Sequence, residues 1–468
     1  MSGTLSSLNT ALSAIRYNRV AMDVASNNVA NVSTEGYTRR RVVGEAEGAP
    51  QVAALWSRYD GAGGGVRTGA IDRLSDSLIV ARARTEHGSL AYLESRATSL
   101  ARLESGVGEP GDSGVAAALA DFRSAWQDVG NDPAGDAART QVLTRAAALA
   151  DAFHAQAANV EGEASMQRLT MQGLVSEVNT AAAELAETNR AIASARLDGV
   201  DVNDMLDTRD RLALNLAELT GGVATERTDG GVDVTVGGVA LVTGRTAAQL
   251  TIATGVNPDG TSDGLPVTLA VTSGSGASQV TTPLTSTPRG EVGASLDLLT
   301  TTLPAYAAGL DALVADFADT INTLHAGAYD LDGNPGATFF TYTPGSAASS
   351  LSLAVTDRRA VAVSAYPGGV LDASVADALG TAGQAEHDYQ SLVNGLGTEV
   401  ASSRRLATTQ SLLTAQVDSA HEQLAGVNLD EEMVSMLSAQ RAYEAAARVM
   451  TVVDSVLDTL INRTGVTR

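Results

Sequence analysis

The chain has 468 residues, enough for about three domains of ordinary size, and 44% of them are hydrophobic. Its formal net charge of -23 argues against a nucleic-acid partner, because backbone binding requires a basic surface. All 31 basic residues are arginine, which excludes P-loop and Schiff-base lysine chemistry, and the absence of cysteine excludes disulfides and thiolate metal sites.

Targeting segments are not evident in the sequence. The first twenty residues have no basic region, no continuous apolar core and no small-residue cleavage site, so we expect no cleaved secretory signal. No run of eighteen apolar residues predicts a membrane span, and we expect no membrane partner.

The first predicted element is an amphipathic helix over residues 4–31. Its apolar residues follow alternating three- and four-residue steps, with Arg19 and Ser26 in two polar slots, which is typical of a coiled-coil seam. We expect the helix to stop at 33–36, where Gly36 can adopt a left-handed conformation. The predicted seam residues are Leu5, Leu8, Leu12, Ile15, Met22 and Val29.

Helical periodicity recurs from about residue 70 to 218, in three apolar stripes. Ser113 is the predicted cap of the first helix, and Asp132 with Pro133 marks the start of the second. These Ala-rich pieces are suited to bundle packing. The stripes are Val115, Leu119, Phe122, Trp126 and Val129, then Val142, Ala146, Leu149 and Phe153, then Leu174, Val178, Leu185 and Ile192.

The period changes to two between residues 219 and 290, which predicts an inserted antiparallel β domain. Val232, Val234 and Val236 alternate with polar residues, and Gly237-Gly238 supplies a hairpin turn.

Helix then resumes in a heptad over residues 296–324, where Pro304 should cause a kink or mark a first turn. Short strand candidates follow at 351–355 and 361–363, before a further helix that includes Leu413 and Val417.

The last segment, 428–463, is a predicted helix that mirrors the first. Asn428 and Glu431 can form a capping box. The predicted seam residues are Met433, Met436, Tyr443, Met450, Leu457 and Ile461. Because the opposite side, including Val449, Val453 and Leu460, is apolar too, one helix pair cannot bury both sides. Self-assembly through neighbouring subunits is the resulting hypothesis, with poorly ordered ends in the free monomer.

These elements predict a mainly α fold with a β insertion, in which the terminal helices pair as a coiled coil around an elongated helical bundle. The predicted domains are a terminal coiled coil for polymerisation (1–40 with 428–468), an elongated helical domain (41–218 with 291–427) and the inserted β domain (219–290). The helical domain includes a small strand-containing stretch at 338–375.

Both ends of the chain resemble the flagellar axial proteins of the rod, hook and hook-associated groups. SNNVANVSTEGYTRR at 26–40 resembles their N-terminal signature, and GVNLDEEM at 426–433 is similar to their C-terminal helix. Two interior stretches, 201–222 and 327–340, narrow the resemblance to the hook-associated protein 1 family.

This resemblance implies a non-enzymatic structural adaptor that joins hook to filament by self-assembly of its terminal helices, without a cofactor. It implies an extracellular flagellar location and type III export without a cleaved signal. The implied partners are further copies in a ring of the axial tube, hook protein, hook-associated protein 3 and an export chaperone, for which Val449, Val453 and Leu460 are the candidate surface. Hook-associated protein 3 and flagellin-like proteins are the close alternatives, and a secreted enzyme or an adhesin is a more distant one.

Three chemical motifs favour structural readings. GDSG at 111–114 matches a protease nucleophile loop, but no accompanying histidine segment is found, so capping by Asp112 or Ser113 is favoured. The spacing of Asp330, Asp332 and Asn334 fits a calcium loop, but Pro335 replaces the required glycine and a tight turn is favoured. The five histidines are scattered, so we predict no metal site and no catalytic residues.

Overall fold

The computed structural model describes residues 2–47, 64–111, 114–274 and 276–459. Long helices dominate these ranges and confirm the mainly α fold class. The longer helices are α1 (Ser2–Ala30), α2 (Ser77–Val107), α3 (Val115–Asn131), α4 (Asp136–Leu197), α5 (Asn203–Thr220), α6 (Gly290–Asp297), α7 (Leu303–Ala326), α10 (Gln384–Ala425) and α11 (Leu429–Asp458). Two short helices, α8 (Ala347–Ser350) and α9 (Ser374–Thr381), precede α10.

The longest element of the fold is α4, a single helix of 62 residues. The second and third predicted stripes both lie on it, so the prediction of separate pieces is wrong. No glycine or proline with helix-ending geometry separates the stripes: Gly162 and Gly173 lie within the helix and have open space around them. The N-terminal half of α4 packs in one hydrophobic core and the C-terminal half in another.

The β insertion between α5 and α6 forms two antiparallel sheets, as the period-two pattern predicts. Gly237 and Gly238 both have positive φ and close the tight turn between β4 and β5. Buried valines of this domain pack against α4. The sheets are β3 (Val223–Glu226), β4 (Val232–Val236), β5 (Val239–Thr243) and β6 (Thr246–Ala247), then β7 (Gln249–Thr254), β8 (Thr268–Ser273) and β9 (Val280–Pro283).

The opposite end of α4 lies in an aromatic core. Phe122 of α3 contacts the ring of Phe317 at a centroid distance of 5.6 Å and that of Phe340 at 5.9 Å. Trp126 is fully buried beside Phe339, with ring centroids 5.6 Å apart. The rings join α3, α7 and the two-residue strand β10 (Phe340–Thr341), which pairs with β11 (Ser352–Leu353).

Some local expectations need correction in this region. The candidate strand at 361–363 forms no strand, because Val363 N–H binds only Tyr329 O and a single bridge joins Tyr329 to Ser364. Pro304 does mark a first turn, that of α7, as predicted, and a π-helical segment, 298–302, connects α6 to α7. The resulting helix, Gly290–Ala326, could cross a membrane by length and composition alone, but Leu310, Val314 and Phe317 are buried in the bundle core.

A hairpin that the periodicity did not predict connects the first two helices. It consists of β1 (Arg40–Glu47) and β2 (Gly65–Arg73), paired antiparallel with a bulge at Val43 and Gly44. Its strands are mostly exposed, and Val42 is the one buried position among the described residues of β1. A pattern with so little alternation carries a weak sequence signal.

Phe122→Ala should lower the free energy of unfolding by about 3–5 kcal/mol, because it removes a fully buried ring that bridges three elements. Guanidinium titration followed by far-UV circular dichroism measures the change. The matched control is Tyr366→Ala at an exposed ring, for which we expect less than about 0.5 kcal/mol. Equal effects would show that the aromatic core does not stabilise the bundle.

Candidate assembly interface at the terminal helices

Helices α1 and α11 pack side by side and antiparallel, since Asn28 near the end of α1 contacts Glu432 at the start of α11. On α11 the residues turned toward α1 recur at alternating four- and three-residue steps. We call them the α11 seam: Glu432, Met436, Ala439, Tyr443, Ala446, Met450, Val453 and Leu457. Alanine at alternate seam positions lets the two backbones approach closely. The pairing confirms the predicted coiled coil.

The phase of the α11 seam differs from the prediction at two positions. Met433 is 57% exposed and lies outside the seam. Val453 is buried within the seam, whereas the sequence pattern predicts it on the opposite side of the helix. The periodicity is correct, but it places Met433 in the seam where the structure has Glu432, and it misses the small buried residues Ala439 and Ala446. Met436, Met450 and Leu457 are half-buried, Tyr443 is at the edge of the seam, and Leu460 and Ile461 lie outside the described residues.

On α1 the most buried side chains are smaller than the predicted ones: Ala11, Val24, Ala25 and Asn28. Arg19 and Ser26 are exposed, which corrects their placement in polar slots of the seam. Leu5 belongs to α1, and the remaining predicted residues Leu8, Leu12, Ile15, Met22 and Val29 are half-buried.

Helix α1 has a second neighbour besides α11, and this neighbour covers a further part of its surface. The β1–β2 hairpin lies along α1, and Ser13 Oγ accepts a hydrogen bond of 3.2 Å from Val66 N–H. Gly44 leaves space for the Tyr17 ring, since a Cβ at this position would lie 3.0 Å from Tyr17 Cε2. Helix α1 therefore lies between α11 and the hairpin.

A buried carboxylate ties the base of α11 to the end of α1. Glu432 accepts hydrogen bonds from Arg39 Nε at 2.7 Å and from Asn28 Nδ2 at 3.0 Å, and its side chain is 4% exposed. Asn28 also donates to Arg40 O and accepts from Arg40 N–H and Tyr37 Oη. These bonds satisfy the polar groups of a buried contact that would otherwise be strongly unfavourable.

Ion pairs continue from this contact into α5. Arg40 bridges Asp204 and Asp207, and Arg73 lies 2.8 Å from Asp207 and 2.9 Å from Asp210.

Around Asp210, Arg84 and Arg209 add further ion pairs, at 2.9 and 2.7 Å. Although burial acts to raise it, the guanidiniums of Arg209, Arg73 and Arg84 hold the pKa of Asp210 below its usual value. We call this set the polar junction: Asn28, Arg39, Arg40, Arg73, Arg84, Asp204, Asp207, Arg209, Asp210 and Glu432.

Three stretches on which the resemblance rests meet at the polar junction. Asn28, Arg39 and Arg40 belong to 26–40, Asp204 and Asp210 to 201–222, and Glu432 to 426–433. In the structure Arg39 and Arg40 pair within the same chain.

The start of α11 also differs from the predicted capping box. Asn428 caps the helix by accepting from the N–H groups of Asp430 and Glu431. The Glu431 side chain does not reach back to the cap residue, because its carboxylate pairs with Arg39 at 2.7 Å. A signal for Glu432 did exist in the sequence, since counting back from Tyr443 and Met436 at seam spacing leads to this acidic residue.

His87 makes charged contacts with two neighbouring helices beside the polar junction, and we call these contacts the His87 clasp. Its Nδ1 lies 3.0 Å from Glu218 of α5 and its Nε2 lies 2.9 Å from Asp418 of α10. Hydrogen bonding to Glu218, opposed by partial burial and assisted by Asp418, raises the His87 pKa to about 9. The imidazolium thus joins α2, α5 and α10 at neutral pH.

The outward side of α11 is apolar. Its residues also follow three- and four-residue steps, and we call them the α11 stripe: Ala442, Ala445, Val449, Val452 and Val456. All five are exposed, and Val452 is 61% exposed. Among residues 7–30 of α1, whose side chains the structure describes, no large apolar side chain is exposed to this degree.

The other motifs have structural roles where they are described. Asp330 accepts hydrogen bonds from the backbone N–H groups of Asp332 and Asn334, which gives a tight turn. His325 is buried between Ala337 O and Ala362 N–H. The described residues contain no group of three or more His, Cys, Asp or Glu side chains suited to a metal ion. Asp112 and Ser113, the predicted caps, lie outside the described residues.

Comparisons with known proteins agree with this architecture. The family model of the flagellar hook-associated protein FlgK helical domain matches residues 100–340. The chain belongs to the FlgK family, the hook-associated protein 1 family. Models of the flagella basal body rod protein and of the flagellar basal body rod FlgEFG protein C-terminal region match residues 8–38 and 422–463. These ranges include all of α11 and residues 8–30 of α1.

Two named relatives align with this chain over nearly their whole length. Flagellar hook-associated protein 1 of Bacillus subtilis is 26% identical, with 100% of this chain and 99% of the relative covered. The Escherichia coli protein of that name is 22% identical, covering 97% and 99%. The flagellar hook junction protein FlgK from Burkholderia pseudomallei has a similar fold, with a TM-score of 0.63 and 18% identity over 75% of this chain and 100% of that one. The FlgK-family chain is therefore a structural component of the bacterial flagellum.

Glu432→Ala should open the polar junction, because it removes two hydrogen bonds to a buried carboxylate, a loss of about 3 kcal/mol. Tryptic cleavage after Arg39 and Arg40 should accelerate about a hundredfold, since cleavage follows local opening. The matched control is Glu431→Ala at the neighbouring exposed carboxylate, for which we expect less than about fivefold. Equal rates for both variants would contradict the role of the buried carboxylate.

Stability should depend on pH through His87. Its pKa in the folded chain, about 9, lies above the ordinary value of 6.5, so its contribution is complete below pH 6.5 and disappears as pH rises through 9. Guanidinium midpoints between pH 6 and 10 measure this slope. In His87→Gln the decline over this range should be reduced, whereas an unchanged decline would refute the clasp.

Proposed function

We propose that the chain is a structural adaptor at the junction of hook and filament, and that it self-assembles through the α11 stripe. The observation that carries the proposal is that α11 has two apolar sides, of which α1 covers one. An exposed apolar stripe of this length on a helix favours coverage by another protein surface. The names of the relatives, hook-associated protein 1 and flagellar hook junction protein, support the location.

In this proposal the terminal helices have different tasks. Helix α1 is occupied by α11 on one side and by the hairpin on the other, so it stiffens the subunit. Helix α11 presents Val449, Val452 and Val456 to a neighbouring copy in a ring of the axial tube. The polar junction holds the helix pair at a defined position relative to the bundle, so that every copy in the ring has the same geometry toward both neighbours.

The specific neighbours follow from the same role. We infer that hook protein lies on one side of the ring and hook-associated protein 3 on the other, outside the cell. Export occurs through the flagellar type III apparatus. A cytoplasmic chaperone covers the α11 stripe before export, with Val449 as the candidate contact, while Val453 is occupied within the seam.

Replacing Val449, Val452 and Val456 together with glutamine should abolish the joining of filaments to hooks. Glutamine suits a helix better than valine, so the monomer should keep its helix content in circular dichroism. The readout is swimming motility and electron microscopy of hooks in cells that lack the native protein.

The control carries Thr451→Gln and Ser455→Gln on a different side of α11, and it should swim normally. Normal swimming by the triple variant would refute assembly through the α11 stripe. Loss of helix content by the triple variant would instead assign the valines to the stability of the subunit.

A further inference from the structure

A buried histidine joins the end of α7 to two loops that follow it in sequence. His325 lies in the last turn of α7 and is 0% exposed. Its Nδ1 lies 2.6 Å from Ala337 O, and its Nε2 lies 2.9 Å from the backbone nitrogen of Ala362. Gly336 allows the first loop to come this close, because a Cβ at this position would lie 2.0 Å from His325 O. We call the second loop, residues 358–364, the latch segment.

The two partners of His325 require one protonation state. Ala337 O can only accept a hydrogen bond, so Nδ1 carries the proton, and the backbone N–H of Ala362 can only donate, so Nε2 carries none. A proton on Nε2 would place two donors face to face and leave the Ala362 N–H, in a residue that is 0% exposed, without an acceptor. The bond to the latch segment therefore exists only while His325 is neutral.

The charges around the ring come from α4 and from the first loop. Arg139 of α4 is 1% exposed and donates hydrogen bonds to Val361 O and Pro133 O, and it forms no ion pair with the carboxylates that the structure describes. Burial lowers the pKa of His325 below its ordinary value. The hydrogen bond to Ala337 O and the carboxylate of Asp330 oppose this shift, and the charge of Arg139 adds to it.

The other charges of the latch segment point to solvent. Arg358 lies 3.0 Å from Asp136, and Arg359 pairs with Asp332, and all four side chains are about half exposed. Ion pairs of this kind contribute little to stability. They cannot replace the buried bond between His325 and the latch segment.

The latch segment also positions an apolar loop on the surface. Tyr366, Val370 and Leu371 follow it closely in sequence and are 59%, 51% and 64% exposed. Asp372 closes this loop, since its carboxylate accepts a hydrogen bond of 2.9 Å from the N–H of Ala365. Because the loop begins directly after the latch segment, its position depends on the bond from His325.

We propose that His325 is an acid-sensitive latch, whose protonation releases the latch segment from α7 and so changes the presentation of the apolar loop. The opening is local, because the ring contact between Phe122 and Phe317 joins α3 to α7 without the latch segment. The inference does not depend on assembly through the α11 stripe.

The direction of the pH effect follows from the two states of the latch. His325 binds a proton more weakly in the closed state than in the open state, where its ordinary pKa of 6.5 applies. The closed state is therefore fully stable above pH 6.5 and loses stability as pH falls below this value. Uptake of one proton on opening should raise the open fraction about tenfold per pH unit.

Hydrogen exchange of the purified full-length chain between pH 8 and 5 tests this proposal. After correction for the intrinsic pH dependence of exchange, protection of the amides of Ala362 and Val363 should be constant above about pH 7. It should fall about tenfold per pH unit below 6.5, in a range where carboxylates with ordinary pKa values of about 4 stay ionised. In His325→Gln the protection should be the same at each pH, because a carboxamide does not titrate.

His154→Gln is the matched control. The one hydrogen bond of His154 in the described structure is to Leu351 O, at 2.8 Å, so a proton added to its other nitrogen breaks no bond. This variant should keep the pH dependence of the original chain at 358–364.

Three results would contradict the latch. The first is constant protection at 358–364 down to pH 5, and the second is an unchanged pH dependence in His325→Gln. The third is a parallel loss of protection in α4, which would show global unfolding in place of a local opening.

Nuclear magnetic resonance of the histidine Cε1–H groups provides a second measurement on the unaltered chain. The His325 signal should keep the chemical shift of a neutral imidazole at pH 6, whereas a titration midpoint at or above 6.5 would refute the latch. The signal is identified by its loss in His325→Gln. If that variant does not fold, Gln variants of the other four histidines identify it by elimination.

Discussion

The buried carboxylate of Glu432 is the constraint on which the arrangement of the molecule depends. It binds Arg39 and Asn28, which are about four hundred positions away in sequence, and so fixes where the last helix starts. A buried charge is tolerated only if it is paired and hydrogen-bonded, and this requirement makes the position of α11 specific. Arg40, Arg73 and Asp210 extend the same network into α5. The terminal helices are thereby attached to the bundle by polar contacts, while apolar contacts determine their mutual pairing.

Burial is unequal between the two terminal helices, and this inequality leads to function. Helix α1 is enclosed by α11 and the hairpin, whereas α11 leaves Val449, Val452 and Val456 in solvent. The open apolar surface of α11 is therefore the surface available for contact between copies. A subunit with one open apolar stripe can add to a neighbour without first unfolding its own helix pair.

Local periodicity was sufficient to predict the terminal helices, the stripes of α3 and α4 and the β insertion, because each pattern is decided within a few turns. It was insufficient for the phase of the seam, where Ala439 and Ala446 fill the close contact and Met433 turns outward. The β1–β2 hairpin was missed because its strands are mostly exposed and alternate weakly. The polar junction was missed because its partners are distant in sequence, although Asn28, Arg39 and Asp210 were all within the stretches that the family resemblance singled out.

Hydrogen exchange on the purified full-length monomer is the most direct test of the central claim. The claim is that the polar junction fixes the start of α11, whereas the part that carries the α11 stripe is stabilised only by contact with another copy. Amides at 432–439 should be protected nearly as well as those of α4, whereas amides at 449–458 should exchange much faster. This gradient would show a helix that is fixed at its base and completed by assembly. Uniform protection to residue 458 would show that the subunit already stabilises α11 alone, and rapid exchange at 432–439 would show that the junction does not anchor it.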